Sequence, residues 1–532
     1  MRAGLKIKKP SNADLGKILL SAVFIGMVFI PLIRMFTFMD AKTVCSVVTS
    51  ATFLPALRNS LATAVVSTGI TLTISFILAI CIHRTKIQLK GVFGILFTLP
   101  MLIPSISNGM GLVILFGNNG ILTRFLNLSD GIYGFWGIVT GSVLYSFPVA
   151  YLMLSDVFRY EDGSPYEAAQ VLGIPKYRQF FAITLPYLRK PLISVIFAVF
   201  AMIITDYGVP LMIGGKYTTI ASIMYQEVIG QLDFGKGAVY GTFLLIPAVA
   251  AFVIDMVNQD KSNTSYVTTP CRLHEGTGVK ILSYICCVLA AVFTLLPIAA
   301  FLLLSLARNY PYDLSFTLDN LQKALKLRAG VYLGNSVIIA LGTAVAGTAI
   351  AFVTAYISAR VKSGTSRFLH LSSMTSAAIP GVVLGLSYVL TFNRTPLYGT
   401  IIILIMVNVV HFIASPYLMM YNSFSKINEN LESVAQTMGI RRLYVIRDVF
   451  IPQCTATLIE MFAYFFVNCM MTISAVSFLA GSFNKPVSLM INQFEAQMQL
   501  ECAAVVSLMI LCVNLLIKAL SAGLGRCKFL KR

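Results

Sequence analysis

Long apolar runs dominate the chain, and only short polar stretches separate them. A helix needs roughly 20 apolar residues to cross a bilayer. Twelve runs are about that long: 16–38, 58–82, 91–117, 133–155, 189–213 and 238–256, then 280–305, 334–359, 368–392, 400–421, 455–481 and 503–520. They are continuous and do not alternate, which predicts helices and argues against a β-barrel. The expected fold is an all-α integral membrane protein with about twelve transmembrane helices.

Near residue 260 the pattern breaks into NQDKSNTSYVTTPCRLHEGTG, which is polar and rich in Ser and Thr. This predicts a cytoplasmic linker, 258–279, between a first half, 1–257, and a second half, 280–532. The halves resemble each other. RNSLATAVVSTGITLTISFILAICIHR (58–84) parallels GNSVIIALGTAVAGTAIAFVTAYISAR (334–360) at an offset of 276, which also maps Pro104 onto Pro380 and Gly109 onto Gly385. Further along, an offset of 266 maps Gly173 onto Gly439 and Pro186 onto Pro452. Six spans per half set both halves the same way up, as parallel repeats, with a pathway expected between them.

Composition agrees with this reading. The chain is 57% hydrophobic and 11% charged, against about 25% charged in a soluble domain. The net charge of +19 would suggest nucleic acid on a soluble protein, but 28 of the 40 Lys and Arg fall on one set of alternate segments. That bias is the positive-inside rule, so both termini are expected in the cytoplasm and no nucleic-acid partner is needed. The basic MRAGLKIKKPSNADLGK looks like the start of a signal peptide. The run after it is span-length and lacks a clear cleavage site, so it is read as the first span. Ten scattered cysteines form no CxxC pair and no zinc-spaced Cys/His cluster. They read as small packing residues, and no metal site is expected. The sequence has no GxxxxGK[ST], HExxH or GxSxG motif, so neither nucleotide binding nor catalysis is expected of this chain.

Two segments stand apart. PYEAAQVLGIPKYRQFFAITLP (165–186) and LESVAQTMGIRRLYVIRDVFIP (431–452) are polar and amphipathic, and they lie between spans on the expected cytoplasmic side. In each, a glycine is followed thirteen residues later by a proline. The pattern predicts a short helix, a turn at Gly173 or Gly439 and a second helical stretch near the membrane surface. Pro175 suits that stretch's first turn, and Pro186 can start the next span.

The first segment resembles the EAA loop of ABC importer permeases. It matches at Glu167, Ala168, Ala169, Gly173, Ile183, Leu185 and Pro186. The second copy keeps Ala435, Gly439 and Pro452, with Ser433 where Glu167 stands, Val434 for Ala168 and Ile451 for Leu185. The resemblance covers nearly the whole chain. It implies the type I permease fold in a fused two-half form, in the bacterial inner membrane among its lipids. It also implies coupling through these loops to two copies of a cytoplasmic ATPase subunit that uses ATP, a separate extracytoplasmic substrate-binding protein, and no cofactor on this chain. The branch it resembles includes importers of ferric iron, thiamine and 2-aminoethylphosphonate. Segments 205–239 and 109–120 look most like the aminoethylphosphonate members, which makes that solute the expected one and ferric iron or thiamine the alternative.

Polar residues inside spans are costly and tend to face a pathway. The candidates are Asn108, Asp206 and Tyr207, with Ser105 and Thr205, in the first half. In the second half they are Asn408, Asn468 and Thr472, with His411 and Ser474. Asp206 could attract a cationic group, or could simply end a helix. A secondary transporter would also show twelve spans in two parallel halves. It would want buried ionisable residues mid-span, of which there are few, and it leaves the EAA-like segments unexplained.

Overall fold

The computed structural model describes residues 12–85, 87–127, 131–258, 277–361, 364–428 and 430–526. Most of the expected linker, 258–279, lies outside them. Among the described residues, eight helices are long and apolar enough to cross a membrane, or twelve if each of four bent pairs counts as one span.

Two of those bends alter the expected spans. Run 91–117 turns by 100° between Lys90–Leu102 and Ser105–Phe125, and run 368–392 turns by 109° between Gly364–Ala378 and Gly381–Phe392. The cause is the same in both. Pro104 and Pro380 have no N–H to continue the ladder, and the residues before them, Ile103 and Ile379, are driven to extended geometry. Run 455–481 also differs: its helix stops at Met471, and the apolar stretch beyond it is not helical. Run 189–213 divides into Leu185–Ile204 and a short helix, Gly208–Ile213.

Contacts divide the chain into two compact units. One comprises Asp40–Leu333 and Val487–Cys512, and the other the described parts of Met1–Met39, Gly334–Pro486 and Val513–Arg532.

In the first of these units, helices Phe53–Arg84 and Phe135–Arg159 pack through small residues. The former buries Ala64, Ser67, Thr71 and Ser75, and the latter Gly141, Ser142, Ser146 and Ala150. Small side chains let backbones approach in a medium where burial of apolar groups drives little association. Thr71 and Ser146 share a hydroxyl hydrogen bond of 3.0 Å across the seam. Helix Thr277–Ser305, which opens the second half of the sequence, belongs here too. Its Cys287 and Ala291 pack with Leu78, Phe97, Phe147 and Tyr151. A Cβ at Gly111 would lie 2.6 Å from the Pro297 Cβ, so only glycine fits that crossing. An antiparallel pair, Ala307–Asn309 with Asp313–Phe316, follows and is tied down by Asn320, whose Nδ2 donates to the Ala307 carbonyl at 2.6 Å.

In the other unit the N-terminal helix packs against second-half elements. A π-turn at Ile25–Phe29 interrupts it, and there the Met27 carbonyl accepts the Tyr388 hydroxyl at 2.8 Å. Most described cysteines are buried as expected, but Cys45 and Cys512 are exposed.

Candidate coupling and pathway sites

Helix Ser164–Val171 carries Pro165 in its first turn and ends on Gly173 at φ +68°. The Ile174 N–H donates to the Ala169 carbonyl at 2.9 Å, and the Gly173 N–H to Gln170 at 3.1 Å. That pair of bonds is a Schellman cap, which needs a left-handed residue at the glycine position. The second copy repeats it. After Leu431–Thr437, Gly439 has φ +70°, Ile440 donates to Ala435 at 2.8 Å and Gly439 to Gln436 at 3.1 Å. The turns expected at Gly173 and Gly439 are therefore present, with Ala169 and Ala435 as the carbonyl partners.

The stretch after each turn differs from expectation. Pro175 caps the next helix and does not sit in its first turn. That helix, Lys176–Gln179, runs without a break into the span, and Pro186 lies inside the continuous length Lys176–Ile204. A π-turn at Phe180–Thr184 makes this possible. Leu185 donates to Phe180, five residues back, and the wider turn accommodates a ring that would strike the carbonyl four residues back in an α-helix. The second copy has a π-turn at Ile446–Phe450 just before Pro452, but its helix ends at Gln453 and the span Thr455–Met471 follows at a bend of 76°.

Each copy buries one alanine and exposes an apolar face. Ala169 and Ala435 are buried, and Glu167, Ala168 and Gly173 are open. Val171, Leu172 (75% exposed), Tyr177 and Phe181 stand out from the first copy. Val434, Met438 (70% exposed), Leu443 and Tyr444 do so from the second, which also forms a groove between Leu431, Ala435 and Ile440.

A residue missed in the sequence holds each copy in place. Arg84, the last residue of Phe53–Arg84, is buried and forms a two-pronged pair with Glu161, Nε to Oε2 at 3.0 Å and Nη2 to Oε1 at 2.6 Å. Its Nη2 also donates to the Tyr166 hydroxyl at 2.7 Å and to Thr184 Oγ1 at 3.1 Å. Tyr166 in turn donates to Glu161 at 2.7 Å, and burial holds its phenol above the ordinary value, so it stays a protonated donor. In the second half Arg360 pairs with Glu432 at 2.8 and 2.5 Å, and also donates to the carbonyls of Ile427 at 2.9 Å and Asn428 at 2.6 Å. The available signal was an arginine ending both copies of the aligned stretch, at 84 and 360.

The first-half pathway candidates gather at the bend after Pro104. Asp206 accepts from the Ser105 hydroxyl and from the amides of Gly208 and Val209, the last at 3.0 Å. Its carboxylate thus starts the short helix Gly208–Ile213 and ties it to the bend at Pro104. Tyr207 is buried and stacks on Tyr225 at 4.5 Å. Asn108 is buried three residues into the helix that leaves the same bend. In the other unit, Asn408 and Asn468 each donate to the carbonyl four residues back, both at 2.8 Å. Thr472 ends the helix containing Asn468. A Cβ at Gly381 would overlap Ser474 Oγ and lie 3.0 Å from His411 Nε2, so these three meet at the bend after Pro380. No cluster of three or more His, Cys, Asp or Glu able to hold a metal occurs among the described residues.

Comparison with known proteins adds relatives to this geometry. The family model described as "Binding-protein-dependent transport system inner membrane component" matches residues 71–259 and 347–526. The two stretches start 276 residues apart, the same offset that relates the halves. The chain is 28% identical to the ferric transport system permease protein FbpB of Actinobacillus pleuropneumoniae, over 77% of this chain and 62% of that protein. A putative ferric transport system permease protein FbpB 1 of Haemophilus influenzae is also 28% identical, over 77% of this chain and 68% of that one. The molybdenum transport system permease protein ModB of Azotobacter vinelandii is 32% identical over 33% of this chain and 80% of its own.

Proposed function

Because this chain belongs to the inner membrane components of binding-protein-dependent transport systems, two permease copies fused in one polypeptide, we propose that it forms the translocation pathway of an ATP-driven importer of ferric iron. The observation that carries the solute is the pair of ferric permeases aligned across 77% of the chain, through both halves. The expectation of 2-aminoethylphosphonate rested on segments 205–239 and 109–120 and gains no support from these relatives. Ferric iron therefore takes its place, as a passing substrate and not a resident metal. The test is uptake of radiolabelled ferric iron and of labelled 2-aminoethylphosphonate in cells with and without the chain. Loss of iron uptake alone is expected on deletion, and loss of phosphonate uptake alone would overturn the assignment.

In this reading a binding protein delivers the solute from outside, and two cytoplasmic ATPase subunits dock on helices Ser164–Val171 and Leu431–Thr437. The exposed apolar side chains around two rigid glycine caps support this, since patches of that kind usually meet a partner. The bias of Lys and Arg supports cytoplasmic termini and, with them, a cytoplasmic position for these helices. Pathway roles for Asn108, Asp206 and Tyr207 are supported by their place beside the bend at Pro104, and those for Asn408, Asn468 and Thr472 by the cost of polar residues within spans.

Leu172→Asp and Met438→Asp test the docking faces. Burying a leucine-sized side chain contributes about 1.5–3 kcal/mol, so each change is expected to weaken ATPase binding about tenfold to a hundredfold. Both side chains are exposed, so insertion and abundance should hold. Copurification of the ATPase with the tagged permease is the measurement, and undiminished recovery with both variants would sink the docking assignment.

A further inference from the structure

The surroundings of the two buried arginines correspond position by position. Arg84 maps onto Arg360 at the offset of 276. At the offset of 266, Phe158 maps onto Phe424, Glu161 onto Ile427, Tyr166 onto Glu432 and Thr184 onto Phe450. Arg84 lies 5.2 Å from the Phe158 ring centroid and 5.0 Å from that of Tyr166, and Arg360 lies 5.3 Å from that of Phe450. At each arginine the end of one span, the exit of another, the short exposed helix and the π-turn leading to the next span converge on one guanidinium. A planar, always-charged fork with five donors can satisfy that many partners at once.

The counter-charge has moved, and the Thr184 hydroxyl is replaced by the Phe450 ring. In the first half the carboxylate is Glu161, just past the span Phe135–Arg159, and the short helix reaches Arg84 through the neutral hydroxyl of Tyr166. In the second half the place of Glu161 is taken by the Ile427 carbonyl, and the carboxylate is Glu432, on the short helix itself. We infer that Arg84 and Arg360 are positioning residues that transmit movement of each short helix to the spans, and that the two links differ in strength. The second is an ion pair, and the first a hydrogen bond from the guanidinium to a neutral hydroxyl. This rests on the reading that ATPase subunits dock on these helices. It goes further by assigning the link within the permease and its asymmetry.

Hydrogen bonds to charged partners with a charged donor are worth more than those through a neutral group. Losing Glu432 should therefore impair transmission more than losing the Tyr166 hydroxyl. The experiment uses the whole complex, purified with its ATPase and reconstituted with its binding protein. The readout is solute taken up per ATP hydrolysed, using radiolabelled ferric iron or the solute that the deletion test identifies. Glu432→Gln is expected to lower that ratio about tenfold or more, and Tyr166→Phe about twofold to tenfold. ATPase copurification should be intact in both. Ile427→Glu/Glu432→Tyr rebuilds the first-half arrangement around Arg360 and is expected to restore much of the ratio.

An unchanged ratio in both single variants overturns the proposal. So does loss of ATPase copurification in Tyr166→Phe, because the hydroxyl would then shape the docking face and not the link. Loss of the folded chain in both near-isosteric variants would make these groups structural supports and overturn it equally. Failure of the docking reading shows separately, as undiminished ATPase recovery with Leu172→Asp and Met438→Asp.

Discussion

Gly173→Val is expected to abolish uptake and leave insertion and abundance at wild-type levels. A Cβ at Gly173 meets nothing within 4 Å, so the substitution breaks no packing. It acts on the backbone alone. At φ +68° a residue with a side chain costs about 1–2 kcal/mol, and a β-branched one fits worst. The bonds from Ile174 to Ala169 and from Gly173 to Gln170 would be lost with the cap, and with them the fixed position of Leu172. Asn tolerates the left-handed region, so Gly173→Asn should keep most of the uptake. Gly439→Val should behave as Gly173→Val does, because φ there is +70° and its Cβ would also be free. Solute uptake beside an immunoblot of the membrane fraction decides the matter. Wild-type uptake by Gly173→Val would remove the cap from the mechanism.

Gly381→Ala should be nearly as damaging, for the opposite reason. Here the added carbon meets Ser474 Oγ, with the Ser474 Cβ and His411 Nε2 each 3.0 Å away. Overfilling a packed site typically costs about 1–3 kcal/mol. The first half shows the solution in reverse: Ser105 stands at the position of Gly381, and Gly208 at that of Ser474. Gly381→Ala/Ser474→Gly is therefore expected to regain most of the stability that Gly381→Ala loses. A double-mutant cycle on thermal unfolding in detergent should give a coupling of about 1–3 kcal/mol. Additive effects would mean that the two residues do not share the space.

Much of this architecture was legible because its signals are local. Continuous apolar length marks a span whatever surrounds it, and a glycine with a proline thirteen residues on marked both capped turns. The bends at Pro104 and Pro380 escaped because hydropathy counts apolar residues without regard to direction, although the two prolines that cause them were aligned with each other. The π-turns escaped because Phe180–Thr184 and Ile446–Phe450 carry no composition of their own. Pro186 looks like a start in sequence, yet it lies within the continuous helix Lys176–Ile204. Arg84 with Glu161 escaped for another reason. Their 77-residue separation is closed only by the packing of two spans, and the same holds for Arg360 with Glu432 across 72 residues. The solute was the least legible feature, because the candidates at the bends mostly serve the protein's own backbone.

The contact between Met27 and Tyr388 spans 361 residues and bears on how the chain is made. At a synthesis rate of about 5–20 residues per second, the N-terminal helix waits roughly 20–70 s before Tyr388 exists to meet it. Through that interval the Met27 carbonyl lacks its Tyr388 partner. The helix's sides suit the wait: Ile18, Leu19, Ile30 and Ile33 remain exposed even in the finished fold. A polar substitution at one of these positions would act before the protein is complete, on the residence of a newborn helix in the bilayer, and would be felt first as a shortage of chains that finish assembly.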